Sequence, residues 1–162
     1  MPFPVEVQAE IPNIALPNAD WADAFELELP NGERSARTIA SNTLGSSPKW
    51  LELLLSVRNA VVKPFGLKMG KETASQPANS IGFFPVLEEN DERIVVGLDD
   101  KHLDFRIIVE LFAKDSTTTV LMTTVIRRHN LFGKIYLAVV SPFHKLIVPR
   151  VLSQAISAKR TA

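Results

Sequence analysis

From Leu103 to Phe112 the chain alternates. Leu103, Phe105, Ile107, Val109 and Leu111 form one apolar series, and His102, Asp104, Arg106, Ile108, Glu110 and Phe112 form a mixed one. A period of two places the two series on opposite faces of a strand. The odd series is expected to face a core and the even series to be half exposed. Thr117 to His129 is dominated by Thr, Val and Ile, which suit a pleated surface better than a helix. Lys114-Asp115-Ser116 between them is short and polar, as a hairpin turn requires. A two-residue turn at Asp115-Ser116 pairs Lys114 with Thr117. Counting outward, Asp104 then faces Arg127 and His102 faces His129. A slip of one residue would set Asp104 opposite Ile126 with no polar partner, so the first register is favoured, with a three-residue turn as the alternative.

The same patterning extends in both directions. Arg93 to Leu98 reads as a strand in which Gly97 marks a bulge or bend, and Asp99-Asp100-Lys101 as the turn that follows it. Ile81 to Glu88 reads as a further strand, with Pro85 pointing to an edge or bulge, and Asn90-Asp91-Glu92 as its turn. Four strands in meander order result. Upstream, Pro2, Pro4, Pro12 and Pro17 favour an extended arm over residues 1–18. Phe25, Leu27 and Leu29 alternate with Glu26 and Glu28, so this stretch is a strand ended by Pro30-Asn31-Gly32. Ser35 to Leu44 predicts a helix with Ala36, Ile39, Ala40 and Thr43 on one side. A second helix, Trp50 to Val62, is capped by Ser47 and Pro48 and carries a wide apolar face. Lys68 to Ser80 is polar and reads as a loop. The last element, Leu131 to Lys159, recurs apolar at helical spacing, and Pro142 and Pro149 are expected to divide it into segments.

The fold class that follows is α+β: an antiparallel meander sheet packed on N-terminal helices and a proline-broken C-terminal helix. Residues 1–18 form the arm and 19–160 one domain. At 162 residues the chain is long enough for a real core. Lys+Arg and Asp+Glu both number 18, so no basic field exists to hold phosphates, and nucleic acid is not expected as a partner. The absence of cysteine excludes disulfides, thiolate catalysis and cysteine-ligated metal. Glu6 and Glu10 interrupt any signal-peptide pattern. The longest uncharged apolar run, Ile135 to Phe143, falls short of a membrane span. A cytoplasmic protein without a membrane span is expected, and a homodimer is among the oligomeric forms left open.

Three blocks carry a resemblance: LPNADWADAFEL (Leu16 to Leu27), SPKWLELLLSVRNAVVKPFGLK (Ser47 to Lys68), and GFFPVL, GLDDKHLDFR and TTVIRRHNLFGKIYLAVVSPFHKLIVPRVL within Gly82 to Leu152. Together they resemble the bacterial domain-of-unknown-function 2867 family. That family occurs alone and behind NAD(P)-binding domains of short-chain-dehydrogenase type. No GxGxxG loop is present, so the resemblance implies the stand-alone form, with no dinucleotide bound in the Rossmann manner. It carries no reaction to assign to residues. The element order is also similar to the helix-grip fold of START lipid-transfer proteins and polyketide cyclases, an analogy of architecture that does not fix function.

The densest polar cluster is Asp99, Asp100, His102, Asp104 and Arg106 with Arg127, Arg128 and His129. It reads either as a charge ladder on an outer sheet face or as a site, with His102, Asp104 and His129 as candidate acid-base groups and Arg106 and Arg127 holding a carboxylate. Phe105, Ile107 and Tyr136 are candidate ligand contacts on the apolar side. His102, His129 and an aspartate lack HxH or HExxH spacing, so no metal and no cofactor is expected. His144 among apolar neighbours reads as a satisfied core histidine, and Trp21 and Trp50 as core anchors. No serine lies in a GxSxG context. Three functions remain: a module binding a small lipophilic ligand in a cavity between sheet and C-terminal helix, an enzyme of cyclase or hydrolase type acting on such a ligand, and a non-catalytic interaction domain.

Overall fold

The computed structural model describes residues 3–9, 11, 14–30, 35–44, 56, 79–81, 84–99 and 103–157. The expected helix over Trp50 to Val62, the loop that follows it, and His102 lie outside the described residues. Seven strands form one antiparallel sheet: β1 (Val5–Val7), β2 (Trp21–Pro30), β3 (Ser80–Ile81), β4 (Phe84–Glu89), β5 (Arg93–Asp99), β6 (Leu103–Lys114) and β7 (Thr117–Arg128). Their spatial order is β1-β2-β7-β6-β5-β4-β3. Helix α1 spans Ala36–Leu44 and the C-terminal helix α2 spans Leu131–Ser157. The class is therefore α+β.

The central hairpin has the favoured register. Lys114 pairs with Thr117 and Asp104 with Arg127. Asp115 turns the chain at a φ of 51°, a left-handed conformation that Asp tolerates better than most residues. At the next turn Asn90 Oδ1 accepts from the backbone N–H of Glu92 and Arg93 at 2.9 and 2.8 Å, so the side chain stands in for a backbone acceptor.

Four expectations are corrected. The stretch Ile81 to Glu88 is two strands: Ser80 pairs with Pro85 and Ile81 with Phe84, and the bulge follows between Val86 and Glu88. Pro85 thus sits where its missing donor interrupts no central ladder. Gly97 marks no bulge, because it pairs in register with Arg106. A Cβ there would collide with the Phe105 carbonyl oxygen and come within 2.9 Å of Arg106 Cδ; the glycine makes room for the arginine folded across it. The N-terminal arm also contributes a strand, since Val5–Val7 pairs with Ala24 to Glu26. Finally, α2 is one continuous helix through Pro142 and Pro149. Pro142 is exposed, on the outer side where helix hydrogen bonds are weakest. Pro149 lies between buried Val148 and Val151, whose packing offsets the lost bond.

Alternation gives the sheet two different faces. Phe25, Leu27, Leu29, Ile94, Val96, Val109, Leu111, Val120 and Met122 form the main core with Ala36, Ile39 and Ala40 of α1 and Val148 and Leu152 of α2. This is the helix face. The helix α1 begins with Ser35 as N-cap, its Oγ accepting from the Thr38 N–H at 3.1 Å. On the other side Val95, Ile108 and Val125 pack against Leu16 and Ala19. This arm face is closed by the chain before β2: Asp20 N–H donates to the Ile126 carbonyl at 2.9 Å, and Arg128 N–H to Asp20 Oδ1 at 3.1 Å.

The helix α2 starts at Asn130, whose Oδ1 accepts from the Gly133 N–H at 3.1 Å. Leu137, Val140, Val148, Val151 and Leu152 are buried, whereas Leu131, Ile135, Val139, Phe143 and Leu146 are exposed. Among the described residues, Leu131–Ser153 is long and apolar enough to cross a membrane by length and composition alone. The expectation of no span rested on uncharged runs, and Lys134, Lys145 and Arg150 interrupt this one. Polar contacts tie the helix to the sheet, among them His144 with Asp23 at 3.2 Å and Lys145 with Glu6 at 3.1 Å.

Candidate functional site

Among the described residues, burial on the helix face falls from one end of the sheet to the other. Pairing across β2, β7, β6 and β5 gives successive rows of side chains on this face. Phe25, Met122, Val109 and Ile94 form an inner row, and all four are buried. Next outward come Asp23, Thr124, Ile107 and Val96, then Trp21, Ile126, Phe105 and Leu98. In this outermost row Trp21 and Phe105 are only half-buried and Leu98 is exposed. Phe84 of β4 meets Phe105 edge to face, ring centres 5.6 Å apart. A half-buried apolar patch thus occupies the same face that the helices cover elsewhere.

Two buried polar residues stand side by side in the second row, Asp23 and Thr124. The Asp23 side chain is only 2% exposed, and His144 from α2 reaches it, Nε2 lying 3.2 Å from each carboxylate oxygen. A carboxylate only accepts, so Nε2 carries the proton, and in a neutral imidazole Nδ1 is the remaining acceptor. Trp21 meets the His144 ring edge to face at 5.9 Å and so fixes the ring from the side. One N–H cannot serve both oxygens well at that distance, and Asp23 Oδ2 is left without a hydrogen bond of its own. Buried carboxylates ordinarily collect several donors. Chemically, the pair can hold a proton at His144 Nε2 and leaves one buried acceptor unsatisfied, Asp23 Oδ2.

The residues singled out from sequence divide between the two faces. Phe105 and Ile107 lie on the helix face, and Tyr136 is a half-buried residue of α2. Arg106 and Arg127 alternate to the arm face, as does Asp104. The structure therefore does not bring the two arginines together with Phe105 and Ile107 in one site. His129 Nε2 lies 2.9 Å from Asp104 Oδ1, with side chains 28% and 14% exposed. Asp104 thus takes His129 as its ion-pair partner, and Arg127 across the strand is exposed. Arg106 donates to Asp99 at 2.8 Å and to the Phe105 carbonyl at 2.9 Å. Arg93 reaches Glu110 at 2.6 Å and Glu88 at 3.4 Å. These contacts form a cross-strand charge ladder. Among the described residues no group of three or more His, Cys, Asp or Glu is placed to hold a metal ion.

Asp23 was not singled out from sequence, although a signal was available. Carrying the alternation of Phe25, Leu27 and Leu29 back two residues puts Asp23 on the core side of its strand, where an ionisable group needs a reason. His144, expected to be a satisfied core histidine, is its partner through Oδ1.

The class defined by these features is an α+β domain with an antiparallel sheet, helices over one face and a buried Asp–His pair beneath the C-terminal helix. A family model described as protein of unknown function (DUF2867) matches residues 15–151, and the chain belongs to that family. No curated protein matches it. Among solved structures, the crystal structure of CalU16 from Micromonospora echinospora is similar over 97% of this chain and 94% of that one, at 10% identity and a TM-score of 0.33. So distant a likeness decides neither fold nor chemistry.

Proposed function

We propose that this protein binds a small lipophilic molecule between the open end of the helix face and the C-terminal helix, in the manner of a helix-grip domain. The observation that carries the reading is the row Trp21, Ile126, Phe105 and Leu98, which leaves aromatic and aliphatic surface half-buried beside two buried polar side chains. Ligand sites are mostly apolar with a few fixed polar groups, and this composition fits. An enzyme acting on the same ligand is the second reading. It is favoured by Asp23 and His144, an oriented acid-base couple at the edge of that row; Asp104 and His129, on the opposite face, could not reach a ligand held there. The exposed stripe Leu131, Ile135, Val139, Phe143 and Leu146 is the feature an interaction domain would use.

Native mass spectrometry of the purified protein tests the proposal. An equimolar small molecule retained under gentle ionisation, and lost from Phe105→Asp, is the expected result. Repeated absence of any adduct, together with no rise in melting temperature across straight-chain amphiphiles, would overturn it.

A further inference from the structure

We infer that the ligand of this site carries a hydrogen-bond donor, an amine or a hydroxyl, at the end that meets Asp23. The inference rests on the binding reading above and adds the polarity of the headgroup to it. Its basis is the chemistry of the deepest polar atoms at the open end.

Asp23 lies in the second row, one residue pair inward from Trp21, directly across from Thr124 and two strands from Ile107. A molecule lying along Phe105 and Ile107 therefore has its inner end at Asp23 and Thr124, and at no other charged side chain on the described part of that row. The carboxylate is 2% exposed, and among the described residues the side-chain donor it meets is His144 Nε2, shared between its oxygens at 3.2 Å. Oδ2 has no hydrogen bond of its own. Leaving a buried acceptor unmade is costly, and for a charged group more so. A ligand N–H or O–H directed at Oδ2 removes that cost at the moment of binding. A ligand carboxylate or carbonyl would place lone pairs against lone pairs, and excluding it needs no further contact. Thr124 adds a hydroxyl that can donate or accept, so it suits an alcohol as well as an amine. Arg106 and Arg127 lie on the opposite face of the sheet, and Arg128, which alternates to this face, is engaged by Asp20 at 3.2 Å.

The experiment compares three probes of one chain length, decylamine, 1-decanol and decanoate, by isothermal titration below their aggregation concentrations. The wild-type protein is expected to bind decylamine most tightly and decanoate at least about tenfold more weakly, the range set by one charge-assisted hydrogen bond. Asp23→Asn keeps the shape and is expected to bring the three within about threefold of one another. Should Asp23→Asn fail to fold, the ranking in the wild type still decides. Equal affinity for all three, or tighter binding of decanoate, overturns the inference while the lipophilic site stands. Binding of none of them overturns the site and the inference together.

Discussion

Among the described residues, each face of the sheet holds an Asp–His pair, and the two differ in what surrounds them. On the arm face Asp104 and His129 sit 2.9 Å apart, with both side chains in contact with water. Their neighbours are other ion pairs, Arg106 with Asp99 and Arg93 with Glu110. On the helix face Asp23 and His144 are separated by 3.2 Å, and the aspartate side chain is only 2% exposed. The shorter contact is the weaker candidate. A partly exposed pair is screened and holds two side chains in place for little gain, whereas a carboxylate as buried as Asp23 depends on every donor it has. Burial, and not distance, separates a ladder rung from a site.

The largest expected difference between the faces lies in their cores. Ile94→Ala on the helix face should cost about 4 kcal/mol in urea unfolding, near the upper end for a large-to-small core change. Ile108→Ala on the arm face should cost about 2 to 3 kcal/mol, because the chain around Leu16 and Ala19 can collapse onto the vacancy. Equal losses would mean that the arm closes its face as firmly as the helices close theirs.

The two pairs give the next contrast. Asp23→Asn should lose about 1 to 3 kcal/mol, and Asp104→Asn less than about 1 kcal/mol. A double-mutant cycle of Asp23→Asn with His144→Gln should show coupling, and the matching cycle of Asp104→Asn with His129→Gln almost none. Coupling of similar size on both faces would show that burial does not set the two pairs apart.

The smallest effect concerns the ion pair that ties α1 to β4. Arg37 donates to Glu89 at 2.8 Å, and this hydrogen bond holds the Glu89 carboxyl below its ordinary value of 4.5, with desolvation opposing and Asn79 assisting. A lowered native pKa contributes stability at neutral pH, fully present above the unfolded value and lost as the pH falls through the native one. Glu89→Gln should therefore be slightly less stable than wild type at pH 7 and indistinguishable from it once the pH is below the native value. A stability gap that persists in strong acid would show that the effect is not ionic.

Much of this arrangement was legible in the sequence, for local reasons. The β6–β7 register followed from a two-residue turn and a strict alternation, both of which act over a few residues. Ser35 and the apolar side of α1 likewise announce themselves within one or two turns. What escaped is long-range. Asp23 and His144 are joined across 121 positions, and no local period links them. Proline masked β1, since Pro2 and Pro4 favour extended chain but say nothing of pairing. The β3–β4 break was hidden because the aromatic and aliphatic residues from Ile81 to Leu87 read as one strand, and Pro85 signalled an edge or bulge without saying that the chain turns back on itself. The continuity of α2 reflects tertiary packing of Val148 and Leu152 overriding a local breaker.

The shortness of the outermost strands has a consequence for solubility. An open sheet exposes unpaired backbone groups at both margins, and long flat margins recruit other chains. Here the margins are β1, three residues, and β3, two residues. Neither offers enough consecutive amides to seed a growing stack. Behind β1, however, lies β2, ten residues long and apolar at every second position from Phe25 to Leu29. Removing the first nine residues would turn that strand into a margin. The proline-rich start of the chain therefore acts as a cover, keeping the longest strand on that side from becoming a template for aggregation.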